Sequence, residues 1–163
     1  MTPMKAPERN KTFNLSMDLQ CADPNSYIPQ KKMMERWVKA TIETQDLEQS
    51  ELELVLRIVD ELEGAELNNK YRGKTKATNV LSFPFSAVTP KPLPILGDIV
   101  ICAPIIEREA SAENKNLEAH WAHMIVHGVL HLLGYDHNTS TEAFAMERLE
   151  AFVLNKLNYP APY

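Results

Sequence analysis

From Phe13 the chain alternates, with Phe13, Leu15, Met17, Leu19 and Cys21 on one side and Asn14, Ser16, Asp18 and Gln20 on the other. That period of two predicts a half-buried strand. Asp23, Pro24 and Asn25 end it, and Met34, Trp37, Val38, Thr41 and Ile42 then recur at helical spacing over residues 29–44, the pattern of a helix with one buried face. Residues 51–60 alternate again through Leu52, Leu54, Leu56 and Ile58, a second strand. A short helix over residues 60–69, weakened by Gly64, is expected to deliver a basic loop. Residues 79–83, halted by Pro84, and residues 96–102 read as the third and fourth strands.

Pro104 suits the first turn of a helix reaching residue 114, and a longer helix is predicted over residues 117–133. Leu117, Trp121, Met124, Ile125 and Leu132 form its buried stripe. Thr139 and Glu142 have the spacing of a capping box for a last helix, with Ala145, Leu149, Phe152 and Val153 facing inward. Residues 1–11 carry no periodicity and read as a mobile tail ahead of a single domain over residues 12–163. The order of elements predicts an α/β (α+β) fold: a four-stranded mixed sheet with helices packed mainly on one face.

Composition narrows the class of partner more than the class of fold. The 163 residues are 44% hydrophobic, enough for one substantial core. The first twelve residues do not resemble a signal peptide, and no stretch approaches the length of a membrane span, so the expected location is the cytoplasm and a membrane is not an expected partner. Cys21 and Cys102 lie in strand-like apolar surroundings and are expected to be reduced and buried. A net charge of −5 argues against coating nucleic acid by bulk electrostatics, so any RNA contact must be local. Lys70, Arg72, Lys74 and Lys76 place four cations within seven residues and offer such a place, although a solvated loop would look the same.

All five histidines fall between His120 and His137, in HWAHMIVHGVLHLLGYDH. On a helix turning about 100° per residue, His127 and His131 share one face a turn apart. Gly134 can take a positive φ, stop the helix and let the chain bring His137 back to the same point. Three imidazoles with no nearby cysteine describe a catalytic rather than a structural site for one zinc ion per chain, although nickel, cobalt or iron would suit the same donors. The spacing H-x3-H-x5-H, with glycine three residues after the second histidine, also matches the ligand skeleton of the metzincin peptidases. Gly128 stands where those enzymes carry their general-base glutamate. Three neutral imidazoles leave the metal its full charge, which lowers the pKa of bound water to about 7 without that glutamate. Gly128 would also let another element, or a phosphate group, come close.

HGVLHLLGYDH closely resembles the signature of the YbeY family of bacterial metal-dependent endoribonucleases. The segments LNNKYRGKTKATNVLSFPF, residues 67–85, and LGDI, residues 96–99, resemble that family's other shared blocks in the same order, so the likeness spans residues 50–137. It implies a zinc-dependent endoribonuclease specific for single strands, acting in ribosomal RNA maturation at the 3′ end of 16S rRNA and in ribosome quality control. The implied partners are ribosomal RNA and the small subunit or its proteins; a monomer is the default. The resemblance places the family's functional arginine at Arg72, whose guanidinium can grip a phosphate bidentately. Lys70, Lys74 and Lys76 would extend the RNA track.

Two further roles are open on the residues alone. His120, His123, His127 and His131 lie within about 80° of one another on the helix, so His123 could support the metal site or transfer protons, whereas His120 is expected to face solvent. Asp136 could orient a ligand imidazole or simply serve the turn. The proline-rich residues 89–94 could rim the site. Two rivals stand beside the nuclease: a metzincin-like hydrolase acting on peptides, against which Gly128 counts, and a non-catalytic, metal-stabilised ribosome assembly factor.

Overall fold

The computed structural model describes residues 12–163 apart from Val88 and Pro92; the tail expected over residues 1–11 lies outside the described residues. Four strands, β1 (Asn14–Cys21), β2 (Glu51–Val59), β3 (Val80–Pro84) and β4 (Ile95–Cys102), form one sheet in the order β1-β2-β4-β3. β1, β2 and β4 run parallel, and β3 pairs antiparallel to β4 at the edge. Pro84 ends that edge strand, where a missing N–H costs the sheet least.

The alternation in the strands sorts their side chains to two sides. Met17, Leu52, Leu54, Leu56, Ile58, Ile99 and Ile101 face a large core shared with α1 (Lys31–Ile42), α4 (Leu117–Leu132) and α5 (Ser140–Lys156). Val59, Leu81, Val100 and Cys102 face the other way and are covered by Leu67 of α2 (Glu61–Arg72), with Ala77 and Ile105. α3 (Ala103–Ala112) follows β4 directly, with Pro104 in its first turn. The expected mixed sheet with helices mainly on one face is what forms, with α2, joined by Ile105 from the start of α3, on the second face. α4 is the central helix, packed against β3, β4, α1, α3 and α5. Its residues are therefore buried nearly all round, as an interior helix must be.

Four local expectations need correction. α2 does not stop at residue 69 but runs to Arg72, so Lys70 and Arg72 sit in its last turn and only Lys74 and Lys76 lie in the loop. Asp60 caps its start by accepting from Glu63 N, and Gly73 ends it in the left-handed region at φ 68°. Gly64 helps here, because a Cβ would sit 3.2 Å from Ala77 Cβ and 3.3 Å from Cys102 Sγ; close helix-to-sheet packing outweighs its low helix propensity. α5 is rotated from its expected face: Met146, Glu150, Val153 and Leu154 are buried, while Ala145 and Phe152 are exposed and Leu149 is half-buried. Cys21, at the end of the outer strand β1, is exposed; Cys102 in β4 is buried, and both are free thiols. His120, expected in solvent, is buried, because α3 packs on that side of α4 and Glu109 meets the ring at 2.9 Å.

Candidate metal centre

α4 carries His127 and His131 on one face, and its C-terminus turns the chain so that His137 joins them. Tyr135 N–H donates to Leu130 O at 3.0 Å and Gly134 N–H to His131 O at 3.1 Å, with Gly134 at φ 102°. This closure answers the helix's last carbonyls and needs a residue able to adopt positive φ. Asp136 then accepts from His137 N–H at 2.8 Å and from Asn138 Nδ2 at 2.8 Å. Of the two roles open to Asp136, this contact pattern is that of the turn residue. The result is that one nitrogen from each of His127, His131 and His137 lies within 4.8 Å of the other two.

Hydrogen bonding at the back of the His127 and His131 rings decides which nitrogen of each faces the centre. His131 Nδ1 lies 2.9 Å from Tyr135 O; a carbonyl only accepts, so Nδ1 carries the proton and Nε2 keeps its lone pair. His127 Nδ1 lies 2.6 Å from Glu150 Oε2, and the same logic leaves its Nε2 as a lone pair. The two Nε2 atoms are 3.1 Å apart, close to the spacing of about 3.3 Å that tetrahedral zinc sets between imidazole nitrogens. Two lone pairs at that distance repel unless a cation sits between them. Burial and the neighbouring His127 and His137 hold the His131 pKa below its ordinary value, which keeps that imidazole in its ligating form. The donor set therefore fits one transition-metal ion, and His127, His131 and His137 could hold it.

Glu150 is the site residue that the sequence reading missed. It comes from α5, is 0% exposed, and meets His127 at 2.6 Å, Tyr163 OH at 2.7 Å and His123 Nε2 at 3.4 Å. Burial alone would raise its pKa, but hydrogen bonds from His123, His127 and Tyr163 outweigh burial and bring it down to about 2. One signal was legible: Glu150 stands in register with Met146, Val153 and Leu154, at i−4, i+3 and i+4, the one carboxylate on that apolar stripe. His123 is buried behind the site, and its ring centroid is 6.4 Å from that of His127. It lines a separate small cavity rather than the metal cleft, and it meets the ligand set from behind, through Glu150 at 3.4 Å and edge-on against the His127 ring. His120, one turn further, does not take part.

Gly128 marks a contact between α4 and the sheet. A Cβ there would stand 3.1 Å from Ile99 Cγ2 and 3.3 Å from both Ser82 Oγ and Val80 Cγ2, and Ser82 Oγ donates to Gly128 O at 3.0 Å. The small residue lets β3 approach, and the first carbon of any side chain there would already press on Ile99, Ser82 and Val80.

The three histidines open into a cleft of about 640 Å³ whose opposite wall is β3, with Thr78, Asn79 and Ser82. Arg72 lines the same cleft from the end of α2. Its guanidinium lies 5.2 Å from the Phe83 ring centroid, and Nη2 donates to Ser82 O at 3.1 Å. Stacking and this hydrogen bond orient the fork toward the cleft. Lys70 is exposed, its Nζ 5.1 Å over the Tyr71 ring. Lys74 and Lys76 are exposed in the following loop and do not line the cleft. The described part of residues 89–94 does not rim it either.

Comparison with known proteins bears on the fold and on the family. The solution structure of TM1509 from Thermotoga maritima superposes with a TM-score of 0.55 at 24% identity, covering 87% of this chain and 91% of that one; at that identity it speaks for the fold alone. The family model described as "Endoribonuclease YbeY" matches residues 19–158. That span holds the three histidines, Arg72 and Glu150, and the chain belongs to the YbeY family of endoribonucleases, which act in ribosomal RNA maturation.

Proposed function

We propose that this chain is a zinc-dependent endoribonuclease specific for single-stranded RNA, working in the cytoplasm on the 3′ end of 16S rRNA and in ribosome quality control. The observation that carries the reading is that three convergent imidazoles and the Arg72 guanidinium line one cleft. His127, His131 and His137 would hold the zinc, which supplies Lewis-acid activation when bound. Arg72 would bind the scissile phosphate by its remaining N–H donors and stabilise the charge that grows on its oxygens during cleavage. A cleft of ligand-pocket size suits one strand entering by a nucleotide or two, not a duplex. Lys70, Lys74 and Lys76 lie outside it, where they would steer the RNA backbone without reading bases. With a net charge of −5, this local basic patch is what would direct the small-subunit RNA to the site.

His123 acts in this reading as a support behind Glu150 and not on the substrate. A peptidase is disfavoured because Gly128, where that chemistry needs a glutamate, is packed against Ile99 and Ser82. The test is a paired measurement on untagged protein: metal content by elemental analysis, and cleavage of a single-stranded RNA, for wild type and Arg72→Glu. One zinc per chain in both, with cleavage lost only in Arg72→Glu, is the expected result. Bound metal with no cleavage of several RNAs by either protein would overturn the nuclease reading in favour of an assembly factor.

A further inference from the structure

Beyond α5 the chain doubles back over α4 and is held there by two phenols. Tyr159 OH donates to Glu118 Oε2 at 2.6 Å, with its ring edge-on to Trp37 at 6.0 Å. Tyr163 OH donates to Glu150 Oε1 at 2.7 Å, with its ring edge-on to His123 at 5.6 Å. Between them, Pro160, Ala161 and Pro162 span a cavity of about 220 Å³ floored by His120, His123 and Leu154. The strap is thus fastened at two points instead of packed along its length. Tyr163 is 67% exposed, yet its hydroxyl ends on the buried acid behind the metal ligands.

The two oxygens of Glu150 do different things. Oε2 meets His127 Nδ1 at 2.6 Å, while Oε1 is shared by Tyr163 OH at 2.7 Å and His123 Nε2 at 3.4 Å. Without the phenol, Oε1 would keep only the long contact to His123. The carboxylate would then be free to turn toward that second imidazole and away from the first. We propose that Tyr163 is a positioning residue for the metal centre: its hydroxyl clamps Glu150 Oε1 so that Oε2 stays on His127 and the ring of His127 stays aimed at the metal. The inference rests on the metal-site reading above and reaches past it, since it makes an exposed residue of the strap part of the support for a ligand.

The direction of the effect separates this clamp from a purely electronic influence. A phenol donating to a carboxylate draws charge from it, so if orientation did not matter, removing the hydroxyl would make Glu150 a stronger acceptor and His127 a better ligand. The clamp predicts the opposite sign. Zinc affinity is measured on full-length wild type, Tyr163→Phe and Tyr159→Phe by competition with a chromophoric chelator, with the visible spectrum of the cobalt-substituted proteins as a second readout of ligand geometry. Tyr163→Phe is expected to bind zinc roughly tenfold more weakly, at the low end of what loss of such a supporting contact does, and to alter the cobalt spectrum. Tyr159→Phe, which removes the other fastening and leaves Glu150 untouched, is expected to match wild type in both. Equal or tighter binding by Tyr163→Phe would overturn the clamp while leaving the metal site standing. A wild type that binds no zinc would bring down both.

Discussion

Glu150 Oε2 lies 2.6 Å from His127 Nδ1, so an acid buried in the last helix decides which nitrogen of the first imidazole faces the cleft. Its pKa of about 2 lies below the value of about 4.3 for an unfolded glutamate. The unfolded chain therefore binds the proton first as pH falls. The stability that Glu150 contributes is complete above about pH 5 and is lost as pH drops through 4 toward 2. Metal-free Glu150→Gln is expected to lack this part of the acid limb when unfolding free energy is followed from pH 5 to pH 2. A wild-type slope in Glu150→Gln over that range would contradict the assignment. Glu150→Ala should cost about 2–3 kcal/mol at neutral pH, because His127 and Tyr163 lose their buried acceptor.

His137 is exposed, and its backbone is held by Asp136 rather than by the core. Replacing its ring should therefore separate metal binding from folding. His137→Ala is expected to bind zinc far more weakly while its metal-free stability stays within about 0.5 kcal/mol of wild type. Calorimetric unfolding with and without zinc reads both quantities. In wild type, zinc at a hundred times its dissociation constant should add about 2.7 kcal/mol, and in His137→Ala the shift should nearly vanish.

Arg72 offers a fork that a lysine does not reproduce. Arg72→Lys keeps the charge but gives up two-point contact with a phosphate, so single-turnover RNA cleavage should slow by roughly 10- to 100-fold with metal content unchanged. Cleavage at the wild-type rate would mean that the guanidinium serves only its contacts with Ser82 and Phe83.

The space at Gly128 can be probed in two steps. Gly128→Ala gains helix propensity of about 1 kcal/mol but presses a methyl against Ile99, Ser82 and Val80 at 3.1–3.3 Å, a crowding that costs about 1–3 kcal/mol, so a net loss of up to about 2 kcal/mol is expected. Gly128→Glu, which completes the metzincin pattern, buries a carboxylate against the sheet and should lose more than about 3 kcal/mol. A stable Gly128→Glu protein with new peptide-cleaving activity would revive the peptidase reading.

Local pattern was enough for what depends on local geometry. The four strands, the face of α1 built from Met34, Trp37 and Val38, the Thr139 cap that accepts from Glu142 N–H at 3.1 Å, and the three-histidine spacing all follow from periodicity within a turn or two of chain. Helical pitch alone sets His127 beside His131, and Gly134 is the residue that makes the return of His137 possible. The order β1-β2-β4-β3 is a different matter, since it depends on which strands the crossovers bring together. So do the burial of His120 under α3, the exposure of Phe152 and the rotation of α5. Each is decided by what packs against an element, which its own periodicity does not contain. Glu150 shows the limit most clearly: a carboxylate in an apolar stripe looks like a solvated residue until Tyr163 and His127, 13 and 23 positions away, supply the donors that let it be buried.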